Sequence, residues 1–192
     1  KAAPYEVLLD WWRKNTYGKH CYIGLGIYRA GSNSAWKDST LIPRQLTALR
    51  NTENIHGAIY FSSKTFARNP NGWSDSLQNN YYKYPALIPP MDWIDNPAPT
   101  APQLKVSTSE ISSSLQVEII DCNTSLRTKS FVVYGFGGDD EKHDKLNPDN
   151  ILQIIPFKAD LIKINIQRPG ENFKQIAVTC VDTSNNESEL TF

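Results

Sequence analysis

Histidines, cysteines and clustered carboxylates are the side chains with which a chain does most acid–base, nucleophilic or metal chemistry, and here they are scattered. His20, His56 and His143 stand far apart, so neither a Ser-His-Asp triad nor a metal-ligand spacing is indicated. Cys21, Cys122 and Cys180 include no Cys-x-x-Cys, which argues against a zinc site and a disulfide framework and leaves only a single Cys122–Cys180 bridge open. Asp139, Asp140, Glu141 and Asp144 could offer oxygens to calcium, but without the ordered spacing of a calcium loop a solvated charge run is the favoured reading. Gly135-Phe136-Gly137-Gly138 runs into acids rather than a helix start or Gly-Lys-Ser/Thr, so it reads as a loop and not a phosphate cradle. Trp73, Tyr81, Tyr82, Tyr84 and Trp93 are dense enough for a sugar platform, although packing between the two halves of the chain is favoured. No metal and no cofactor are expected.

Composition bounds the rest. Lys+Arg 20 balance Asp+Glu 20 without a basic run, which excludes the electrostatic footprint of a nucleic-acid binder. No apolar stretch is long enough to span a bilayer. The opening Lys1-Ala2-Ala3-Pro4 has neither a start methionine nor a signal h-region, and reads as a piece cut from something longer. A length of 192 residues accommodates two small domains. Composition shifts at Asn96-Pro97-Ala98-Pro99-Thr100-Ala101-Pro102, which reads as a stiff linker over 96–102 between domains at 1–95 and 103–192.

The elements that must position any site follow from periodicity. Residues 4–16 place Val7, Leu8, Trp11 and Trp12 at helical spacing, with Pro4 near the first turn and Gly18 beyond the end. The glycine-punctuated apolar run 20–28 predicts a strand, and Ser39-Thr40-Leu41-Ile42-Pro43 starts a helix with Ile42, Leu46 and Leu49 on one side. Ala58-Ile59-Tyr60-Phe61-Ser62-Ser63 is a second continuous run of the kind found in buried parallel strands. Residues 77–84 supply a further helix ended by Pro85, so the first half scans as consecutive β/α units. The second half carries seven short candidate strands at 104–107, 115–120, 131–136, 151–157, 161–166, 176–181 and 189–192, the rhythm of a β-sandwich. The fold class is therefore α/β followed by all-β.

A series of segments in the first half resembles the C-terminal end of the glycosyl hydrolase-like family 10 barrel. It runs from Ala3-Pro4-Tyr5 to Trp11-Trp12, through Tyr22-Ile23-Gly24-Leu25-Gly26-Ile27-Tyr28-Arg29, Gln45 and Arg50, to Gly57-Ala58-Ile59-Tyr60-Phe61-Ser62 and Pro89-Pro90-Met91-Asp92-Trp93. The second half is similar to a fibronectin type III module: Ala177-Val178-Thr179-Cys180-Val181-Asp182, followed by Asn185-Asn186-Glu187-Ser188, matches its penultimate strand and turn. It departs from the pattern at Ile176, where many such modules carry the tyrosine of the tyrosine corner. The resemblance implies the last part of a (β/α)₈ TIM barrel, with the two strands as its seventh and eighth, ending at the active-site face. Tyr28 and Arg29 would then leave the seventh strand into a loop holding Trp36, and Ser62, Ser63 and Lys64 would leave the eighth. Rings that stack on sugars and donors that bind hydroxyl or carboxylate oxygens suit a polysaccharide cleft; a strand-capping network without ligand is the alternative.

Glycoside hydrolysis requires two carboxyl groups flanking the scissile bond. Neither strand end carries one, and Asp38, the nearest, lies between Lys37 and Ser39. No catalytic residue is therefore expected within the chain, the carboxyls are expected upstream of Lys1, and the chain alone should be inactive. The resemblance makes the parent a bacterial, extracytoplasmic glycoside hydrolase acting on polysaccharide or peptidoglycan glycan strands. The competing expectation is a non-catalytic glycan-binding or adhesion module. Two parallel strands cannot close a barrel, so self-association of the isolated chain over its apolar surface is expected.

Overall fold

The computed structural model describes residues 3–95, 97–108, 114–123, 127–137, 143–167 and 173–192. The chain forms two compact units, Lys1–Lys83 and Tyr84–Phe192.

In the first unit, α1 (Tyr5–Lys14) follows Pro4 and ends on Arg13 and Lys14, cations that suit a helix C-terminus and that also pair with Asp10 at 2.8 and 2.7 Å. Only Leu9 of this helix is buried; Val7, Leu8, Trp11 and Trp12 are between 46% and 57% exposed. β1 (Tyr22–Leu25) and β2 (Gly57–Tyr60) pair in parallel, Tyr22 opposite Gly57 and Leu25 opposite Tyr60. Parallel neighbours need a crossover, which α2 (Leu41–Arg50) provides, burying Ile42, Leu46 and Leu49. These positions recur at i, i+4 and i+7, the stripe the sequence predicts.

Trp73 and Leu77, four residues apart, enter the core formed by Leu25, Ile27, Ile42 and Leu46. That spacing moves the helical segment N-terminal to the predicted 77–84. α4 (Trp73–Ser76) runs directly into a π-helical turn, Leu77–Tyr81, and the indole N–H of Trp73 is satisfied by the Ser39 carbonyl at 2.9 Å. The two-stranded sheet is covered on one face only. Ile23 and Ala58 pack on the core and Leu25 belongs to it, whereas Tyr22 and Ile59 are 41% and 59% exposed.

In the second unit, β3 (Gln103–Thr108), β4 (Ser114–Ile120) and β7 (Leu161–Gln167) form one antiparallel sheet in the order β3-β4-β7. β5 (Thr128–Gly137), β6 (Ile151–Pro156) and β8 (Phe173–Asp182) form another in the order β6-β5-β8. Leu115, Val117 and Ile119 of β4 meet Phe131 and Val133 of β5 and Val178 of β8 in one core between the sheets, the arrangement of a sandwich. β5 is buried on both faces: Val132, Tyr134 and Phe136 point away from that core into a second cluster closed by Leu87 and Leu190. Gly135 and Gly137, read from sequence as part of a loop, instead continue β5, because Phe136 between them is fully buried and Gly135 pairs with Ile176. The predicted strand at 189–192 is reduced to a single bridge, Thr191 with Val178, since Ser188 spends its hydroxyl on the Cys180 N–H.

The segment 84–95 belongs to this second unit. Asp182, with a side chain 1% exposed, organises the attachment. Its Oδ1 accepts the backbone N–H groups of Ser184 and Asn186, both at 2.8 Å. Its Oδ2 accepts Arg127 and the Asn186 amide, both at 3.1 Å. Arg127 also reaches Asp95 at 2.6 Å, and Asn186 donates to the Asp95 carbonyl at 2.8 Å.

Candidate functional site

The ladder between β1 and β2 does not stop at their last paired residues. Phe61 N–H donates to the Leu25 carbonyl at 3.0 Å, and Tyr28 N–H donates to the Phe61 carbonyl at 3.0 Å. The C-terminal strand tips are thereby fastened side by side. Gly26 makes the departure from β1 compact: an added Cβ there would stand 3.3 Å from the Tyr28 ring. A single 3₁₀ turn, Ile27–Arg29, follows and is pinned by Ile27, which is fully buried. The result is a pair of exposed rings, Tyr28 at 63% and Phe61 at 68%, edge to face with centroids 5.9 Å apart. Phe61 was not among the residues singled out from sequence. It lay inside an apolar run, and only its place as the last residue of that run, at a strand tip, could have marked it.

Arg29 places its guanidinium over the Trp36 ring, 5.0 Å from the centroid. Trp36 is itself held by its loop: its carbonyl accepts Gly31 N–H and the Asn71 amide, both at 2.9 Å, and its ring stands edge to face with Trp73 at 6.4 Å. It is half-buried against the core, so one side of its ring is engaged in packing. Ser62 is half-buried, and Ser63 and Lys64 are exposed at the start of the short helix α3 (Ser63–Phe66), which adjoins the Ile27–Arg29 turn. The structure thus brings Tyr28, Arg29 and Ser62–Lys64 to one end of the sheet, with Trp36 behind Arg29. Among the described residues the side chains of Ser62, Ser63 and Lys64 make no hydrogen bond, which leaves their donors available.

Asp38 does not join them as an acid. It accepts the hydroxyl and backbone N–H of Thr40 at 2.7 and 2.8 Å and pairs with Arg44 at 2.8 Å, so hydrogen bonding to Thr40 holds its carboxyl below the usual range. A general acid needs the opposite shift. Asp38 instead holds the turn at Thr40 that leads into α2.

His20 and His56 come together with ring centroids 4.7 Å apart, immediately before β1 and β2 and so at the end of the sheet away from the tips. Among the described residues no three metal-ligating side chains converge; Asp139, Asp140 and Glu141 lie outside the described residues. The three cysteines carry free thiols, and burial pushes that of Cys180 up to about 11. Of the aromatic cluster, Trp73 is core, Tyr81 bonds Thr47 and the Pro43 carbonyl, and Tyr82 bonds Tyr60, whereas Tyr84 and Trp93 belong to the second unit. No helix among the described residues is long and apolar enough to cross a membrane.

The chain is 37% identical over 137 residues to glycosyl hydrolase YngK of Bacillus subtilis (strain 168), an alignment covering 69% of this chain and 27% of that protein. The chain thus spans about a quarter of the length of the curated relative it matches. No family model matches the chain.

Proposed function

We propose that the chain is the C-terminal part of a glycoside hydrolase acting on polysaccharide or peptidoglycan glycan strands outside the cytoplasm. In this reading the first unit is the end of a (β/α)₈ barrel and the second a fibronectin type III-like sandwich. The observation that carries it is the uncovered face of the β1–β2 sheet. Parallel sheets are covered on both faces, yet Tyr22 and Ile59 stand exposed on one face, and Val7, Leu8, Trp11 and Trp12 do so on α1. Preceding β/α units of the same polypeptide would cover both surfaces, and the greater length of the related hydrolase accords with such units.

The tips of β1 and β2 would then lie at the face where barrel enzymes keep their active sites. There Tyr28 and Phe61 offer ring faces to sugar, and Arg29, Ser62, Ser63 and Lys64 offer hydrogen-bond donors. Both catalytic carboxyls would come from the earlier part of the barrel. A test is the mass of the protein in its source cells, detected with an antibody against this chain. A species larger by about 25 kDa or more fits the remainder of a barrel of ~250 residues. A species of the chain's own size would sink this reading in favour of a glycan-binding or adhesion module.

A further inference from the structure

We propose that a pocket in the second unit binds a short peptide of small aliphatic residues bearing one free ammonium and a carboxylate, the chemistry of the peptide stems carried by cell-wall glycan. The assignment of the source rests on the peptidoglycan reading above. The pocket, ≈ 650 Å³, lies within the ~300–1,000 Å³ span of small-ligand sites.

Two chain segments supply its apolar walls, Leu87, Ile88, Pro89 and Pro90 from one and Leu146, Pro148 and Ile151 from the other. Three prolines fix the backbone φ of these walls, so the pocket is shaped before a ligand arrives, which lowers the ordering cost of binding. No lining residue is aromatic, so there is no ring face on which a sugar could stack. Alanine-sized side chains suit such walls better than a pyranose does.

The polar groups set the charge of the guest. Glu187, in the lining, is held by one oxygen, Oε1, which accepts the hydroxyls of Tyr134 at 2.6 Å and Thr179 at 2.7 Å. No described donor reaches its other oxygen. Asp92 stands on the proline wall, giving two carboxylates for an ammonium. Lys145, also in the lining, donates to the neutral carbonyl of Ser188 at 3.1 Å, so none of the described carboxylates neutralises its charge and it can receive a carboxylate. Aliphatic walls, two acids and one base complement a peptide that carries alanine, a diamino acid and a free carboxyl end.

The test is NMR titration of the chain with N-acetyl-L-Ala-L-Lys-D-Ala, in which the lysine side chain is the one ammonium, its Nε-acetyl-lysine form and the all-L N-acetylated tripeptide. Saturable shifts of the pocket residues at millimolar peptide are expected, with the Nε-acetyl-lysine form weaker by about threefold or more, as loss of an exposed ion pair gives. Leu146→Ser, at a side chain 91% exposed, and Glu187→Gln, which retains an acceptor for Tyr134 and Thr179, should each weaken binding similarly without unfolding the unit. Absence of saturable shifts, or equal binding of the Nε-acetyl-lysine form, overturns the proposal; tighter binding of the all-L peptide reassigns the guest to a protein segment and overturns the source. Turnover of peptide-free glycan by the whole protein is measured separately, so failure of the hydrolase reading is not mistaken for failure of the pocket.

Discussion

Tyr28 and Phe61 are large rings left in solvent at strand tips that the backbone fastens together at 3.0 Å. Exposed rings contribute little to the stability of their own unit, but stacking on a sugar is worth about 1 kcal/mol or more, and 1.4 kcal/mol corresponds to about a tenfold change in kcat/KM. In the whole protein, Phe61→Ala and Tyr28→Ala are therefore expected to lower kcat/KM on glycan by about tenfold each while leaving the melting temperature within about 1 °C, as exposed substitutions do. A drop in melting temperature with unchanged kinetics would mean that the pair is a structural cap. Asp182 is the opposite case, since its carboxylate serves four donors from a site 1% exposed. Asp182→Ala strands the Ser184 and Asn186 N–H groups, while Arg127 keeps Asp95 as its partner, and should cost about 2–4 kcal/mol, read as a fall in the urea midpoint of the second unit. The sequence flagged Tyr28 because it follows an apolar strand at a glycine. It could not flag Asp182, whose importance lies in hydrogen bonds to a turn two to four residues away and to Arg127, 55 positions off.

At the level of the elements, the start of the β1–β2 ladder depends on a histidine. His56 N–H donates to the Cys21 carbonyl at 2.8 Å, and its Nδ1 accepts the Cys21 N–H at 3.2 Å, so the ring serves only when Nδ1 is unprotonated. Burial first, and then the neighbouring His20, hold its pKa below 6.5; the Tyr22 ring also stands 6.5 Å away. The unfolded chain consequently binds more protons than the folded one as the pH falls below 6.5, and stability decreases. The contribution is complete above pH 6.5 and is lost as pH falls through the folded value. Urea unfolding followed by tryptophan fluorescence should show lower stability at pH 5 than at pH 7.5. In His56→Asn, whose side-chain oxygen replaces the Nδ1 acceptor, that difference should shrink; an unchanged pH dependence would assign it to other groups.

Periodicity revealed α2, which buries a regular stripe, short continuous apolar runs revealed β1 and β2, and turn residues separated the sandwich strands. Periodicity misplaced the helix near residue 77 because Trp73, isolated between glycine and serine, gives no periodic signal until its burial is seen. Trp73→Ala should cost about 3–5 kcal/mol through the cavity it leaves, measured by thermal unfolding of the first unit.

For the whole molecule, the question is what lies against the open face of the sheet and the exposed side of α1. These surfaces were legible as apolar positions in the sequence, but apolar residues alone do not say whether they are core or interface; only the observed exposure separates the two. If earlier β/α units cover them, the isolated chain should self-associate, and sedimentation should reveal species larger than a monomer at micromolar concentration; a compact monomer with sharp unfolding would speak against it. The most direct measurement is release of reducing ends from purified peptidoglycan glycan strands, by the whole protein and by residues 1–192 alone. The whole protein is expected to cleave and the chain to be inactive, because neither strand tip supplies a carboxyl and Asp38 is held ionised by Thr40 and Arg44. Cleavage by the chain alone, or inactivity of both, would contradict the account.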